Sequence, residues 1–499
     1  MTHQDSAPST TSPLTTANAE SVARPGVGLG VVVAIACTAQ FMGVFQESVV
    51  SVALPAMKSG LGLSTTDQAW VVNAYMITFG GFMLLAARAS DLFGRKRVFQ
   101  AGLALFAAAG IAAGVAQNGG WLIGSLFVQG IGAAAIAPAS LSLITASHPE
   151  GPIRTRALTI WSMATTAAAP IGLVLGGVLT SELSWRYVLF INALLAAVVL
   201  IAATVSLSPS TAKADWSRLD LPGSLTVTVG AGALIYGVSE ATSKGWGSAP
   251  VIGALAVAVV LLATFGLIET RSADPLLPLG IFGNRSLSIA NIAIACVGVA
   301  LTAQLFFVSL YLQQVIGYSA LRTGVSMVPM SVTMILGALG AKSLIPRFGA
   351  RTLFVGGALV ATAGMAWLSR LPVHSDYPAH ILGPTMVLGV GVGLMILPVT
   401  DAATAGVAPH LAGLASGLLN VSRQIGGAIG LAILVTVATT VSSHSQLANP
   451  AAATVHGYRP ALLICAAISL ISALVGLLLP KATRSPATEK APEPATAAA

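Results

Sequence analysis

Charged side chains are scarce in this sequence. The chain has 499 residues, of which 8% are charged and 55% are apolar. Soluble domains carry about 25% charged residues. The composition therefore excludes a soluble globular protein and indicates an integral membrane protein. The formal net charge of +8 does not indicate a nucleic-acid partner, because the basic residues lie between apolar runs of membrane-spanning length.

Cysteine is also rare, and histidine is absent from the predicted spans. The three cysteines lie singly in separate apolar runs, which excludes a disulfide framework or a metal knuckle and predicts a packing role.

The sequence has no G-x-x-x-x-G-K-S/T loop for ATP and no H-E-x-x-H metal helix. We expect no cofactor and no enzyme activity, so a membrane-embedded enzyme is only a remote alternative. The seven histidines are placed in tails or loops: His3, His148, His374, His380, His410, His444 and His456.

Apolar runs of about 18 to 25 residues are long enough to cross the bilayer as helices, and the chain contains fourteen of them. Counted from a cytoplasmic N-terminus, the inward segments hold 17 basic residues and the outward segments hold six. Basic residues are enriched in cytoplasmic loops. The sequence predicts a multi-pass membrane protein with both termini in the cytoplasm. The abundance of alanine suggests a bacterial source, so we expect the protein in the bacterial inner membrane.

A repeat divides the chain into two halves. A shift of 255 residues aligns Asp91–Gly102 with Pro346–Gly357 and matches two phenylalanines and two glycines in each segment. We therefore predict an all-α fold of two six-helix bundles with two extra spans between them. The predicted boundaries are residues 1–24 (disordered tail), 25–210 (first bundle), 211–270 (two-helix insertion), 271–480 (second bundle) and 481–499 (disordered tail).

The segment R-A-S-D-L-F-G-R-K-R at Arg88–Arg97 resembles the signature between the second and third helices of the major facilitator superfamily. The arrangement of six, two and six spans resembles the fourteen-spanner drug/proton antiporter branch of that superfamily. Other segments are similar to the same branch: V-A-L-P at Val52–Pro55, Q-G-I-G-A-A at Gln129–Ala134, W-R-Y-V-L-F-I-N at Trp185–Asn192 and S-G-L-L-N-V-S-R-Q-I-G-G at Ser416–Gly427.

Glu47 is the candidate proton-coupling residue. It lies inside the first span on a stripe of polar and small residues, which indicates that it faces the interior of the bundle. A carboxyl group withdrawn from water holds its proton more readily, as a proton carrier requires. The alternative is a glutamate that reaches the outer headgroups.

The resemblance shows two departures at this site. The branch has an aspartate where this chain has Gln46, and Glu47 follows one position later, a turn of ~100° on a helix. The arginine of the fourth-span motif is replaced by Leu126, although Gln129 remains.

Arg423 is the second charged residue inside a span. Its helical neighbours are small or polar, so we expect its guanidinium in a crevice of the bundle. It could pair with Glu47, bind an anionic substrate group, or serve as a structural hydrogen-bond hub.

By resemblance, the segment Arg88–Arg97 implies a cytoplasmic gate. Asp91 would pair with Arg95 and bind the N-terminus of a helix in the other half. The proposed gate residues are Arg88, Asp91, Gly94, Arg95 and Arg97; the alternative is a loop that only sets the topology.

Two further sets of residues are candidates. Pro170, Gly172, Gly176 and Gly177 in the fifth span would allow close helix packing, and in this superfamily such a motif implies export. Six polar or aromatic residues could line a substrate pocket, although packing alone would also explain them: Asn73, Tyr75, Gln304, Phe307, Tyr311 and Asn420.

The predicted function is secondary export of hydrophobic or amphipathic compounds, driven by proton entry. Expected partners are the small-molecule substrate, protons and the lipid bilayer, with no obligate protein partner. A narrow-substrate metabolite transporter, working by uptake or facilitated diffusion, is the alternative.

Overall fold

The computed structural model describes residues 28–147, 151–208, 220–272, 275, 277–373, 377–405, 407, 412–445, 447 and 449–480. The side chains of a few residues within these ranges, including Asp91, lie outside the description. The predicted tails, residues 1–24 and 481–499, also lie outside it.

Fourteen described helices are long and apolar enough to cross a membrane, as predicted. Their bounds are α1 Leu29–Leu61, α2 Thr65–Phe93, α3 Arg95–Gly114, α4 Gly119–Ser147, α5 Pro152–Glu182, α6 Trp185–Ser206, α7 Leu221–Lys244, α8 Ala249–Arg271, α9 Arg285–Leu310, α10 Ala320–Phe348, α11 Ala350–Leu368, α12 Gly383–Thr404, α13 Ala412–Ser443 and α14 Pro450–Gly476. A π-helical turn at Tyr311–Val315 extends α9, and another at Pro378–Leu382 precedes α12.

The segment Arg88–Arg97 is not a loop, contrary to the sequence prediction. Helix α2 continues to Phe93, and Gly94 alone separates it from α3. Gly94 has φ 93°, a conformation that costs glycine little because it has no Cβ. Two helices can therefore meet at one residue.

Two of the histidines predicted to lie in loops or tails lie in helical segments. His380 is in the π-helical turn before α12, and His456 is in α14.

The two halves share details at the positions that the repeat aligns. Gly349, like Gly94, has a positive φ of 79° and joins two helices. Phe99 and Phe354 are both fully buried. A Cβ on Gly102 would lie 3.0 Å from the carbonyl oxygen of Gly132 in α4, and a Cβ on Gly357 would lie 2.7 Å from that of Gly391 in α12. The same close packing thus joins α3 to α4 and α11 to α12.

Helices α5 and α10 bring the two halves together at the end of the bundle where α1 ends. A Cβ on Gly177 would lie 2.7 Å from Leu321 Cα. The Leu321 backbone N–H donates to Ser181 Oγ at 3.0 Å. Ten residues before the end of α1, Ser309 Oγ donates to the Ser51 carbonyl oxygen at 2.6 Å, which joins α9 to α1. This end of the bundle is therefore closed.

Helix α7 covers the seam between α2 and α13. Ser224 Oγ donates to the carbonyl oxygen of Gly81 in α2 at 3.3 Å, and Thr436 Oγ1 of α13 donates to that of Val238 in α7 at 3.1 Å. Helix α8 packs on α7 and is mostly exposed. The two extra helices thus lie outside the bundle, away from its interior.

Candidate functional site

Glu47 lies in the interior of the bundle, near the middle of α1, and is half-buried. Its Oε1 accepts a hydrogen bond of 2.7 Å from Nε2 of Gln424 in α13. Gln424 is fully buried. Since α1 and α13 belong to different halves of the repeat, this bond connects the halves at the level of the carboxylate.

A cavity of about 170 Å³ lies between the two halves, on the side of Glu47 that leads to the closed end. Most of its surface is apolar, and Glu47 is its only acidic side chain among the described residues. Arg423 borders the same cavity. The lining comes from α1, α2, α5, α9, α10 and α13 and includes Ser48, Ser51, Met76, Leu173, Gln304, Phe306, Met327, Met330 and Met334.

A second, smaller cavity of about 30 Å³ lies on the other side of Glu47. It is lined by Gln40 and Gly43 of α1, by parts of α2 to α4, and by Asn420 of α13. A space of this size holds about one water molecule. Glu47 and Arg423 border both cavities and therefore stand between them.

Arg423 does not form an ion pair with Glu47 in this structure, since no nitrogen of the guanidinium lies within 4.0 Å of a carboxylate oxygen. Instead its NH2 group donates to Oδ1 of Asn420 at 3.2 Å. Each charged group is thus hydrogen-bonded to a neutral amide of α13. Sequence reasoning suggested a direct pair and did not single out Gln424, although it directly follows Arg423.

A network of three amides includes Gln46, which stands where the superfamily resemblance implies an acid. Gln46 Nε2 donates to Gln129 Oε1 at 2.9 Å, and Asn192 Nδ2 donates to Gln46 Oε1 at 2.6 Å. All three side chains are buried, and none of them titrates. Asn192 was not singled out from the sequence, although a polar residue in the apolar run of α6 is a signal that could have found it.

The six suggested pocket residues have different surroundings. Gln304 borders the large cavity, and Asn420 borders the small one. The other four are buried and line neither cavity. Phe307 packs edge-to-face on Tyr458, and the Tyr311 hydroxyl donates to the Pro372 carbonyl oxygen at 2.6 Å.

The glycines of α5 face two different helices. A Cβ on Gly172 would lie 2.8 Å from Ser48 Cβ, and one on Gly176 would lie 2.9 Å from Val49 Cα, both in α1. Gly177 faces α10, as described above. Pro170 is within α5, about two turns before Gly177. The motif therefore lies where α1, α5 and α10 meet.

The suggested gate residues are described only in part. Gly94 is buried, Arg88 is half-buried, and Arg95 and Arg97 are exposed. The side chain of Asp91 lies outside the description, so the gate remains a prediction. The neighbouring Lys96 donates to the carbonyl oxygens of Thr204 and Leu207, and so joins the start of α3 to the end of α6.

Comparison with known proteins identifies the family. The model of the Major Facilitator Superfamily matches residues 36–431. The chain belongs to the Major Facilitator Superfamily. It is 38% identical over 461 residues to the puromycin resistance protein pur8 of Streptomyces alboniger, with 90% of each chain covered. It is 39% identical over 456 residues to the cephamycin export protein CmcT of Amycolatopsis lactamdurans, covering 90% of this chain and 92% of that protein.

Solved transporters share the fold of this superfamily member. A peptide transporter of the POT type superposes with a TM-score of 0.64 at 15% identity, covering 90% of this chain and 95% of that one. A D-xylose–proton symporter superposes with a TM-score of 0.63 at 14% identity, covering 91% and 98%. The predicted fold and the predicted drug-efflux branch are confirmed. The protein is a multi-pass membrane transporter.

Proposed function

We propose that this transporter exports amphipathic compounds in exchange for protons, with Glu47 as the proton-binding group. The observation that carries the proposal is the position of Glu47 between two cavities, with a hydrogen bond to the other half of the molecule. The relatives named for puromycin resistance and cephamycin export support drug-like substrates. The α5 glycine motif supports export.

The amide network explains why the proton would bind at Glu47. Gln46, Gln129 and Asn192 cannot exchange a proton at physiological pH, and Leu126 cannot do so either. Glu47 is the acidic side chain that borders the cavities in the described chain. A carboxyl group that substrate and proton can both reach is suited to bind one or the other in alternation.

The bond between Glu47 and Gln424 links this exchange to movement of the halves. An ionised Glu47 accepts a charge-assisted hydrogen bond from Gln424. Protonation removes the charge and weakens that bond, which lowers the free energy needed to separate α1 from α13. A proton that reaches Glu47 from one side of the membrane would then release the bond to Gln424. Binding of substrate from the other side of the membrane would displace the proton and restore the bond.

The basic residues support an orientation with both termini in the cytoplasm. In that orientation the closed end, where α5 meets α10, faces the outside. The structure then represents a state that is closed towards the outside.

A gradient-driven transport assay tests the role of Glu47. We expect an imposed pH gradient to drive puromycin accumulation in proteoliposomes that contain the native protein. Glu47→Gln should abolish the response to the gradient, while exchange of labelled for unlabelled puromycin at saturating concentration persists. Glu182→Gln, which changes an exposed acid at the end of α5, is the matched control.

Two results would contradict the proposal. If the Glu47→Gln variant still responds to the gradient, the proton binds at another group. If the native protein exchanges puromycin but ignores the gradient, the transport is facilitated diffusion.

A further inference from the structure

The large cavity presents two opposite charges that do not neutralise each other. Glu47 and Arg423 both border it, yet they are not within ion-pair distance. Their hydrogen-bond partners are the amides of Gln424 and Asn420. A charged group in a largely apolar site is stabilised less by a neutral amide than by an opposite charge. Glu47 and Arg423 can therefore each still bind a ligand group of the opposite charge.

A third polar residue, Gln304, borders this cavity. Gln304 is 1% exposed, borders the cavity, and its Nε2 makes no hydrogen bond in the structure. A buried amide nitrogen without an acceptor is destabilising. The cavity thus offers a carboxylate and a guanidinium to whatever enters it, with the amide of Gln304 beside them.

The rest of the lining is apolar and adaptable. Four methionines border the cavity together with leucines and one phenylalanine: Met76, Met327, Met330 and Met334. Methionine side chains are flexible and polarizable, so they fit apolar bodies of different shapes. The lining therefore discriminates little between ligands of different shape. Discrimination between ligands depends on Glu47 and Arg423, which distinguish them by charge.

We propose that this cavity binds amphipathic zwitterions, with the ligand ammonium at Glu47, its anionic group at Arg423 and its apolar body among the methionines. The proposal rests on the export function and specifies its substrate class. A ligand with both charges satisfies both residues, whereas a singly charged ligand leaves one of them without a counter-charge. At about 170 Å³ the cavity is smaller than pockets for drug-sized ligands, which are about 300–1,000 Å³, so a compound as large as puromycin requires the halves to move apart, and the proposal is tested with smaller molecules.

A set of four probes on one scaffold tests the proposal. These are 3-(2-naphthyl)alanine (zwitterion), its methyl ester (cation), its N-acetyl derivative (anion) and the N-acetyl methyl ester (neutral). Equilibrium binding to the purified protein is followed by naphthyl fluorescence without any ion gradient. The measurement therefore does not depend on proton coupling.

We expect the zwitterion to bind more tightly than the singly charged probes, by about tenfold or more. One additional hydrogen bond to a charged group accounts for a difference in affinity of this size. Arg423→Gln should make the zwitterion and the methyl ester bind equally. Glu47→Gln should make the zwitterion and the N-acetyl derivative bind equally. Arg423→Lys, which keeps the charge, should retain most of the preference.

The neutral probe shows whether each variant is folded, because its binding should not change. If affinity follows hydrophobicity alone in the native protein and in both variants, the zwitterion proposal is wrong, and the export function is unaffected. If the zwitterion binds as expected but no gradient drives transport, only the coupling proposal is wrong.

A zwitterionic lipid headgroup carries the same pair of charges, so the binding is repeated in nanodiscs. Equal affinity in phosphatidylglycerol and in phosphatidylethanolamine nanodiscs supports a small-molecule ligand. Competition by phosphatidylethanolamine would assign the two charges to a lipid headgroup and overturn the proposal for a small molecule.

Discussion

At the scale of single residues, the displacement of the acid from position 46 to position 47 changes its surroundings completely. Gln46 faces Gln129 and Asn192 in a closed, buried network, whereas Glu47 faces two cavities and Gln424. Adjacent residues on a helix point ~100° apart, so both arrangements exist side by side. The neutral residue takes part in packing, and the acid is left accessible to ligands.

The amide network should contribute to stability and not to coupling. Asn192→Leu removes the donor to Gln46 and leaves a buried carbonyl oxygen unpaired, which costs about 1 to 3 kcal/mol. We expect a lower apparent melting temperature in detergent and unchanged gradient-driven transport. Thr166→Val, an exposed change on α5, is the control and should leave both unchanged. Loss of the gradient response at unchanged stability would place the network in the proton path.

At the scale of elements, the contact between α5 and α10 depends on residues without side chains. Gly177 of α5 packs on the first turn of α10, and Gly324 of α10 packs on the carbonyl oxygen of Leu173 in α5. A Cβ at position 324 would overlap that oxygen. Helices approach this closely only where glycine leaves room.

A larger residue at position 324 should open this end of the bundle. We expect Gly324→Leu to lengthen the distance between spin labels at positions 183 and 322, measured by pulsed electron paramagnetic resonance after Cys37, Cys296 and Cys465 are replaced by alanine. Transport should fall, because the closed state is destabilised. Gly124→Leu is the matched control, since a Cβ there meets nothing within 4 Å. An unchanged distance for Gly324→Leu would show that this contact does not hold the end closed.

At the scale of the whole molecule, the distribution of basic residues and the closed end together predict the state of the transporter. The exposed Arg95, Arg97 and Arg347 lie where α2 meets α3 and where α10 meets α11. The contacts between α5 and α10 lie at the opposite end. Basic residues face the cytoplasm. The closed end should therefore face the outside.

Labelling of intact cells tests this orientation. In a background without the three native cysteines, a membrane-impermeant maleimide should label Asn118→Cys, between α3 and α4, and should not label Arg347→Cys. Both positions are exposed, so the difference measures sidedness. Permeabilised cells should label both variants equally. Labelling of Arg347→Cys in intact cells would show that the orientation is the opposite of the predicted one.

The fold was predictable to a large extent. Fourteen spans, the family and the alignment of Gly94 with Gly349 follow from apolar run length and from local spacing, which are properties of neighbouring residues. The loop at Arg88–Arg97 was predicted wrongly, because charge marks the end of a span but not the end of a helix. Only the backbone conformation of Gly94 shows that two helices meet at one residue.

The site was predictable in its charged members and in part of its amides. Glu47 and Arg423 stand out in the sequence because a charge inside a span is costly. Asn420 was singled out as a pocket residue and Gln46 and Gln129 as coupling residues, but Gln424 and Asn192 were not, since a buried amide is common and their partners are far away in the chain. Sequence alone determined which residues carry charge into the membrane. Only the tertiary arrangement of α1 and α13 decided that the two charges share a cavity without pairing, because the distance between helices of different halves is set by the contacts of all the helices around them.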